Sequence, residues 1–169
     1  MRDDRLKWAP VPDPLEAISG EAVSLAPCHV GRQYLVSGVS IATQDAFVGG
    51  WPTVITGEDY TLRIARDQVL QVGCTSRTTG WDAETSHALS DMTDGFEVFE
   101  VTGARAIDVL QRGAELDLNH SSRSVARDLW GMRVLLYRHG SEETFRLHIE
   151  RSHAHALYQA LRSSLLQAR

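Results

Sequence analysis

The stretch Phe96–Gly113, FEVFEVTGARAIDVLQRG, decides the fold. Its first part, Phe96 to Val101, is rich in phenylalanine and valine and predicts a β-strand. Thr102-Gly103 then marks the start of a helix over residues 104–112, and Gly113 marks its end. The apolar face of this predicted helix consists of Ala106, Ile107 and Leu110. The stretch therefore predicts a strand, a tight turn and a helix.

A β-hairpin and a last helix follow this unit. Residues 132–137 are the first predicted strand of the hairpin, and residues 144–150, in which apolar and polar side chains alternate, are the second. The alternation predicts a core face with Phe145, Leu147 and Ile149 and a wet face with Thr144, Arg146, His148 and Glu150. Ser152 is the predicted N-cap of the last helix, whose apolar residues recur at helical spacing: Ala154, Leu157, Tyr158, Leu161 and Leu165. The order β-α-β-β-α predicts an α+β fold of the ferredoxin-like, split βαβ type.

The first half of the chain carries fewer signals. Residues 1–30 are predicted to be an irregular arm because they contain four prolines and several acidic residues: Pro10, Pro12, Pro14, Pro27, Asp3, Asp4, Asp13, Glu16 and Glu21. Residues 31–169 are predicted to form a single α+β domain. Within it, residues 34–41, 62–66 and 69–72 predict strands, and residues 49–52 interrupt the pattern. Residues 73–90 receive no assignment.

Length and charge exclude several classes of function. The chain has 169 residues, 43% of them hydrophobic, which is enough for the core of one domain but cramped for an enzyme with its own cofactor fold. Its 17 basic residues stand against 22 acidic ones, and neither half is basic, which argues against a nucleic acid partner. All basic residues except Lys7 are arginine. A codon-biased genome or a surface built for carboxylate pairing at interfaces would explain this composition.

Cysteine spacing and hydropathy predict a cytoplasmic protein. Cys28 and Cys74 form no CxxC pair, so we expect free thiols in a reducing compartment. The charged first residues are not followed by the apolar segment of a signal peptide, and no apolar run approaches the roughly 18 residues of a membrane helix. We therefore expect no contact with a membrane.

Catalytic motifs are missing from the sequence. It contains no Gly-x-Ser-x-Gly, no Gly-x-Gly-x-x-Gly and no Walker A pattern. The histidines at 148, 153 and 155 crowd together, but one falls on a strand and the other two on opposite sides of a helix, so we expect no metal site. Asp91 and Asp94 could be a base and its partner, although carboxylates just before a strand more often cap turns. We predict no catalytic, cofactor-binding or metal-binding residue here.

Three tryptophans are candidates for an interface. Trp51, Trp81 and Trp130 lie in loop-like contexts, and half-exposed tryptophans are frequent in protein interfaces. They can equally fill the core beneath long loops. The arginine-rich composition favours the interface slightly.

A series of short motifs runs through the second half of the chain. In order, they are Thr93-Asp94-Gly95, Thr102-Gly103-Ala104-Arg105-Ala106, Val109-Leu110-Gln111-Arg112-Gly113, Leu116-Asp117-Leu118, Phe145-Arg146-Leu147 and Arg151-Ser152. Over about residues 90–168 this pattern resembles the γ subunit of heterotetrameric sarcosine oxidase, and Asp13-Pro14-Leu15 resembles the opening of many members. The chain departs from that family at residues 73–77, at Ala104 and at His153, which is consistent with a divergent branch whose complex oxidises another N-methylated amine.

The resemblance implies a subunit and not a free-standing enzyme. It implies an aminomethyltransferase-like, folate-binding-domain-like fold and partner α, β and δ subunits in a cytoplasmic heterotetramer. The flavin (FAD or FMN), NAD, tetrahydrofolate and zinc of such a complex would all lie in those partner subunits. The chain itself would be a non-catalytic assembly subunit of an oxidoreductase that demethylates an amine and passes the one-carbon unit to folate. The alternative is a stand-alone small protein of the same fold that binds a folate or another pterin.

Overall fold

The computed structural model describes residues 15–38, 41 and 48–167. These residues form a sheet-dominated mixed fold with few helices. The strands are β1 (Ile18–Ser19), β2 (Ser24–Pro27), β3 (Gln33–Ser37), β4 (Val48–Gly49), β5 (Val54–Ile55), β6 (Tyr60–Ala65), β7 (Gln68–Val72), β8 (Gly80–Asp82), β9 (His87–Asp91), β10 (Phe96–Thr102), β11 (Ala126–Leu129), β12 (Met132–His139) and β13 (Thr144–Glu150). The helices are α1 (Ala106–Gln111) and α2 (Ala154–Gln167), and the 3₁₀ turn Arg151–His153 precedes α2. No helix within these ranges is both long and apolar enough to cross a bilayer.

The first sheet has the strand order β1-β2-β10-β13-β12-β11, and β5 pairs with β12 in parallel. β13 is antiparallel to both of its neighbours, β10 and β12. These two strands therefore run parallel to each other with β13 between them, and α1 lies in the connection that joins them. The predicted strand and helix after residue 96 and the predicted hairpin are confirmed in these elements. β11 was not predicted.

The second sheet has the order β4-β6-β7-β3-β9-β8. The two strands predicted around residue 67 are confirmed as β6 and β7. The strand predicted over residues 34–41 is β3, which ends at Ser37, and Val39 and Ser40 lie outside the described residues. β8 and β9 form an antiparallel hairpin in the stretch that had no assignment.

Each face of the first sheet is covered by a different layer. On one face, α1 and α2 pack over β10, β12 and β13 in an apolar core that includes Phe99, Leu147 and Leu161. The opposite face packs against the second sheet, and this smaller core includes Leu62 and Leu70. The molecule thus has three layers: helices, first sheet and second sheet.

The predicted irregular arm is wrong at Ile18–Ser19 and Ser24–Pro27, which form β1 and β2. β2 pairs with β10 from Ser24 opposite Thr102 to Pro27 opposite Phe99, and Leu25 is fully buried. Backbone hydrogen bonds hold this pairing, so it needs no alternating side-chain pattern, and Pro27 is tolerated at the strand end. The prolines at 10, 12 and 14 lie outside the described residues.

Both predicted helix boundaries change in the structure. α1 starts at Ala106 because Gly103 turns with a φ of +132°, where an added Cβ would meet the Ala22 carbonyl oxygen at 2.3 Å. Gly113 ends α1 without a positive φ, and its missing side chain makes room for the indole of Trp130. Ser152 is not an N-cap, since it lies inside the 3₁₀ turn.

Candidate functional site

A largely buried polar cluster lies between the two sheets. We call it the inter-sheet network, and its members are Gln33, Tyr60, Glu100, Tyr137, Arg146 and His148. The alternation of β13 directs Arg146 and His148 away from the helices, as predicted, but the second sheet covers that face. The His148 side chain is fully buried, and only 12% of the Arg146 side chain is exposed. The predicted wet face is therefore wrong at these two residues.

The network is a continuous series of hydrogen bonds. Gln33 Oε1 lies 2.7 Å from His148 Nδ1, His148 Nε2 lies 2.8 Å from the Tyr137 hydroxyl, and the two tyrosine hydroxyls of Tyr60 and Tyr137 are 2.7 Å apart. Arg146 closes the series. Its NH1 lies 3.5 Å from the Tyr60 hydroxyl, and its Nε donates to a carboxylate oxygen of Glu100 at 3.0 Å.

Oε1 of Gln33 can only accept, so Nδ1 of the neutral His148 carries the proton and Nε2 accepts, and this fixes the directions of the remaining hydrogen bonds. Tyr60 accepts from Arg146 and donates to Tyr137, which in turn donates to Nε2 of His148. The Nδ1–H of His148 then donates to Gln33. This assignment makes His148 the neutral tautomer with its proton on Nδ1, inferred from the hydrogen bonds.

The electrostatics agree with a neutral, closed network. Burial lowers the pKa of His148 to about 3, and the nearby Arg146 acts in the same direction. Burial raises the pKa of Tyr137, and it raises the pKa of Tyr60 against the opposing effect of their mutual hydrogen bond and of Arg146. Burial also raises the pKa of the half-buried Cys28 thiol near Arg146. These groups thus provide no acid or base that titrates near neutral pH, and we interpret the network as a clamp between the sheets.

A surface groove of about 750 Å³ lies on the other side of the molecule, where the loop between β1 and β2 meets α2. Residues 18–23, Arg105, Leu165 and Leu166 line it. Its ionisable side chains are Glu21 and Arg105, and Arg105 pairs with Asp108 at 3.4 Å. The size suits a small ligand. The described lining offers no histidine or cysteine for proton transfer or nucleophilic attack.

The three candidate interface tryptophans differ in exposure. Trp51 is a core residue that is 2% exposed, stacks on Phe145 at 6.0 Å and donates from Nε1 to the Leu118 carbonyl oxygen at 2.7 Å. Trp130 is half-buried against Gly113. Trp81, in the edge strand β8, is 66% exposed. Trp81 thus remains a predicted interface residue, whereas Trp51 presents no free surface.

The other candidate residues do not converge on one site. Asp91 accepts a hydrogen bond from the Thr93 backbone N–H at 2.9 Å, as a turn-capping carboxylate does, and the hydrogen bonds from Thr93 lower its pKa. Asp94 is exposed. His148 lies in the inter-sheet network, while His153 is exposed on the 3₁₀ turn and His155 is half-buried on α2. Within the described ranges, no three histidine, cysteine or acidic residues are grouped so that they could hold a metal ion.

Sequence reasoning missed Gln33, Tyr60 and Tyr137. Gln33 and Tyr60 begin the strands β3 and β6, and Tyr137 follows apolar residues in β12, so no local pattern marks these side chains as polar and buried. The local signal for the network was on β13, where Arg146 and His148 lie on the same face of the strand.

Comparison with known proteins gives a structural neighbour only. No protein-family model and no curated protein matches the sequence. The structure is similar to a chain of heterotetrameric sarcosine oxidase from Corynebacterium sp. U-96, solved in complex with pyrrole 2-carboxylate. The TM-score is 0.68 at 16% sequence identity, and the match covers 90% of this chain and 88% of that chain. At this identity, the similarity shows a shared fold.

Proposed function

We propose that this chain, which has the fold of a sarcosine oxidase subunit, is a non-catalytic assembly subunit of a heteromeric flavin-dependent oxidoreductase. The observation that carries the proposal is the reciprocal coverage of 90% and 88%. The similarity extends over most of both chains, and this supports the role of a subunit. The complex would demethylate an N-methylated amine.

The chemistry of the described residues supports a non-catalytic role. The inter-sheet network uses its polar groups internally, and its histidine is neutral with a pKa of about 3. The described lining of the groove contains no histidine or cysteine. We propose that flavin, NAD, tetrahydrofolate and zinc are held by the α, β and δ partner subunits. The free thiols of Cys28 and Cys74 fit a cytoplasmic complex.

The strand arrangement supports the finer classification of the fold. Two parallel strands, β10 and β12, are linked through α1 and enclose the antiparallel β13. We propose that this is the split βαβ unit of a ferredoxin-like domain, within a fold of the aminomethyltransferase, folate-binding kind. Folate would serve as one-carbon acceptor in a partner subunit.

Co-purification tests the proposed subunit role. A tagged chain would be isolated from its native host, and native mass spectrometry and the absorbance between about 350 and 500 nm would be recorded on the complex and on the isolated chain. We expect a heteromeric complex with flavin absorbance and a colourless isolated chain. A monodisperse chain that has no partners and binds a pterin in the groove would instead establish the stand-alone binding protein.

Alanine variants test the non-catalytic role. His153→Ala and Asp94→Ala remove exposed ionisable groups, so both are expected to fold and assemble. Loss of a general acid or base typically costs about 10²–10⁴-fold in rate. We expect turnover of a methylamine by the assembled complex to stay within about threefold of the wild type. A hundredfold loss in a fully assembled variant would place chemistry in this chain.

A further inference from the structure

Arg127 in β11 is a partly buried cation without a carboxylate partner among the described residues. Its NH1 donates to two backbone carbonyl oxygens of its own segment, those of Ser124 at 3.0 Å and Ala126 at 2.7 Å. These bonds hold the guanidinium in place and leave the donors on Nε and NH2 available. Burial lowers the pKa of Arg127, and no acidic group opposes this effect.

Other partly buried arginines of the first sheet have a carboxylate. Arg146 pairs with Glu100 at 3.0 Å, and Arg138 pairs with Glu142 at 2.6 Å. Taking a charge out of water is costly unless an opposite charge compensates it. Among the described residues of the first sheet, Arg127 is therefore the exception that requires an explanation.

A buried indole connects Arg127 with Arg138. The guanidinium carbons of Arg127 and Arg138 lie 5.9 Å and 5.3 Å from the ring centroid of Trp51. Two positive charges thus share one aromatic ring, and Glu142 balances one of them. The cluster keeps one surplus positive charge at the surface of β11, where an incoming carboxylate would find a complementary charge.

We propose that Arg127 binds the carboxylate of an aspartate or glutamate side chain on a partner subunit. This inference rests on the proposed function, since it requires a partner. An exposed ion pair changes an equilibrium constant by less than about fivefold, which is too little to hold a free small anion. A carboxylate carried by a polypeptide is held by the rest of the interface, and its two oxygens match the planar guanidinium. Arginine is also enriched among the residues that dominate protein interfaces.

The lysine content of the chain allows a direct test. Lys7 is its only lysine, so Arg127→Lys introduces one new ammonium group at a known place. A carbodiimide activates a carboxylate, and the neutral amine of a lysine in direct contact attacks it to form an amide with release of the urea. Mass spectrometry identifies the joined peptides. The matched control is Arg66→Lys in the turn between β6 and β7, where the side chain is exposed.

We expect the assembled Arg127→Lys complex to give a cross-link from position 127 to an acidic peptide of a partner subunit, and the control to give none at position 66. A complex that assembles without a cross-link at 127, or with one to this chain's own acids, would overturn the inference and leave the proposed function intact. If the wild-type chain forms no complex, both fail.

A second measurement uses the wild-type chain and does not depend on the variant folding. Phenylglyoxal modifies accessible guanidinium groups, so Arg127 should react in the isolated chain and be protected at least about tenfold in the complex. Arg66 should react equally in both. Equal reactivity of Arg127 in the two samples contradicts the proposal.

Discussion

The two faces of the first sheet are both buried, but β13 contributes apolar side chains to one face and polar side chains to the other. On the helix side, Phe145, Leu147 and Ile149 of β13 pack against apolar side chains from α1 and α2. On the side of the second sheet, Arg146 and His148 of the same strand enter the inter-sheet network. Apolar burial is non-directional, whereas a buried polar group must find a partner at a defined distance. β13 thus contributes non-directional apolar packing on one face. On the other face it contributes hydrogen-bond partners that fix the position of the second sheet.

The largest expected effect is on the helix side. Leu147→Ala removes a fully buried side chain from the centre of the larger core, and such truncations cost about 2–5 kcal/mol of unfolding free energy. Urea unfolding followed by circular dichroism would measure the loss. A cost below about 1 kcal/mol would mean that the helices can collapse onto the gap and that this face is not rigidly packed.

The face that carries the inter-sheet network is expected to make the free energy of unfolding depend on pH. His148 has a pKa of about 3 in the folded chain and about 6.5 when unfolded, so between these values the unfolded state binds more protons. Stability therefore rises with pH across this window and is lost as the pH falls, by up to about 1.4 kcal/mol per pH unit. We expect the wild type to lose about 2–3 kcal/mol between pH 6 and pH 4.

The control for this pH dependence is His148→Gln, which retains a donor and an acceptor but does not titrate. The unfolding free energy of this variant should fall less than that of the wild type over the same pH interval. The reason is that the variant lacks the proton that His148 takes up on unfolding. Parallel curves for the two proteins would show that His148 is not held neutral in the folded chain.

A smaller effect is expected at the middle of the network. Tyr137→Phe removes the hydroxyl that links Tyr60 to His148 and leaves a buried acceptor nitrogen without its donor, at a cost of about 1–3 kcal/mol. Tyr60→Phe, which removes a hydroxyl nearer the edge of the network, is the matched comparison and should cost less. If both variants are as stable as the wild type in urea, the network contributes nothing net to stability.

The smallest effect on stability is expected at Trp81, which lies outside both faces of the first sheet. Trp81→Ala truncates a side chain that is 66% exposed on an edge strand, and substitutions at such positions usually change stability by less than about 0.5 kcal/mol. Thermal unfolding would measure this difference. A loss above about 1 kcal/mol would show that Trp81 packs against the rest of the chain and is not a free interface residue.

Local patterns predicted much of the first sheet. The period of two in residues 144–150 assigned Phe145 and His148 to opposite faces correctly, and the helical spacing assigned the buried face of α2. The pattern could not show that a second sheet covers the polar face. Gln33 and His148 are 115 positions apart, and no local signal encodes so distant a contact.

The candidate site was less accessible to prediction than the fold. A loop context does not distinguish a buried tryptophan from an exposed one, so Trp51 and Trp81 looked alike in sequence and differ completely in the structure. The charge of Arg127 is uncompensated because no carboxylate of the described residues folds beside it. Such a tertiary contact cannot be seen in the sequence. The composition showed an excess of arginine but could not show which arginines are partly buried without a carboxylate partner.

Because β2 pairs with β10, β2 can complete its hydrogen bonds only after the residues of β10 have been synthesised. The Ser24 hydroxyl donates to the Thr102 carbonyl, 78 positions later, and the Tyr158 hydroxyl donates to the Glu16 carbonyl, 142 positions earlier. A ribosome adds roughly 5–20 residues per second, so β2 waits several seconds for its neighbour and longer for α2. During that interval Leu25, an apolar residue of β2, has no partner strand beside which it can be buried. Leu25 therefore cannot be buried between β2 and its neighbours until the residues of β10 have been synthesised.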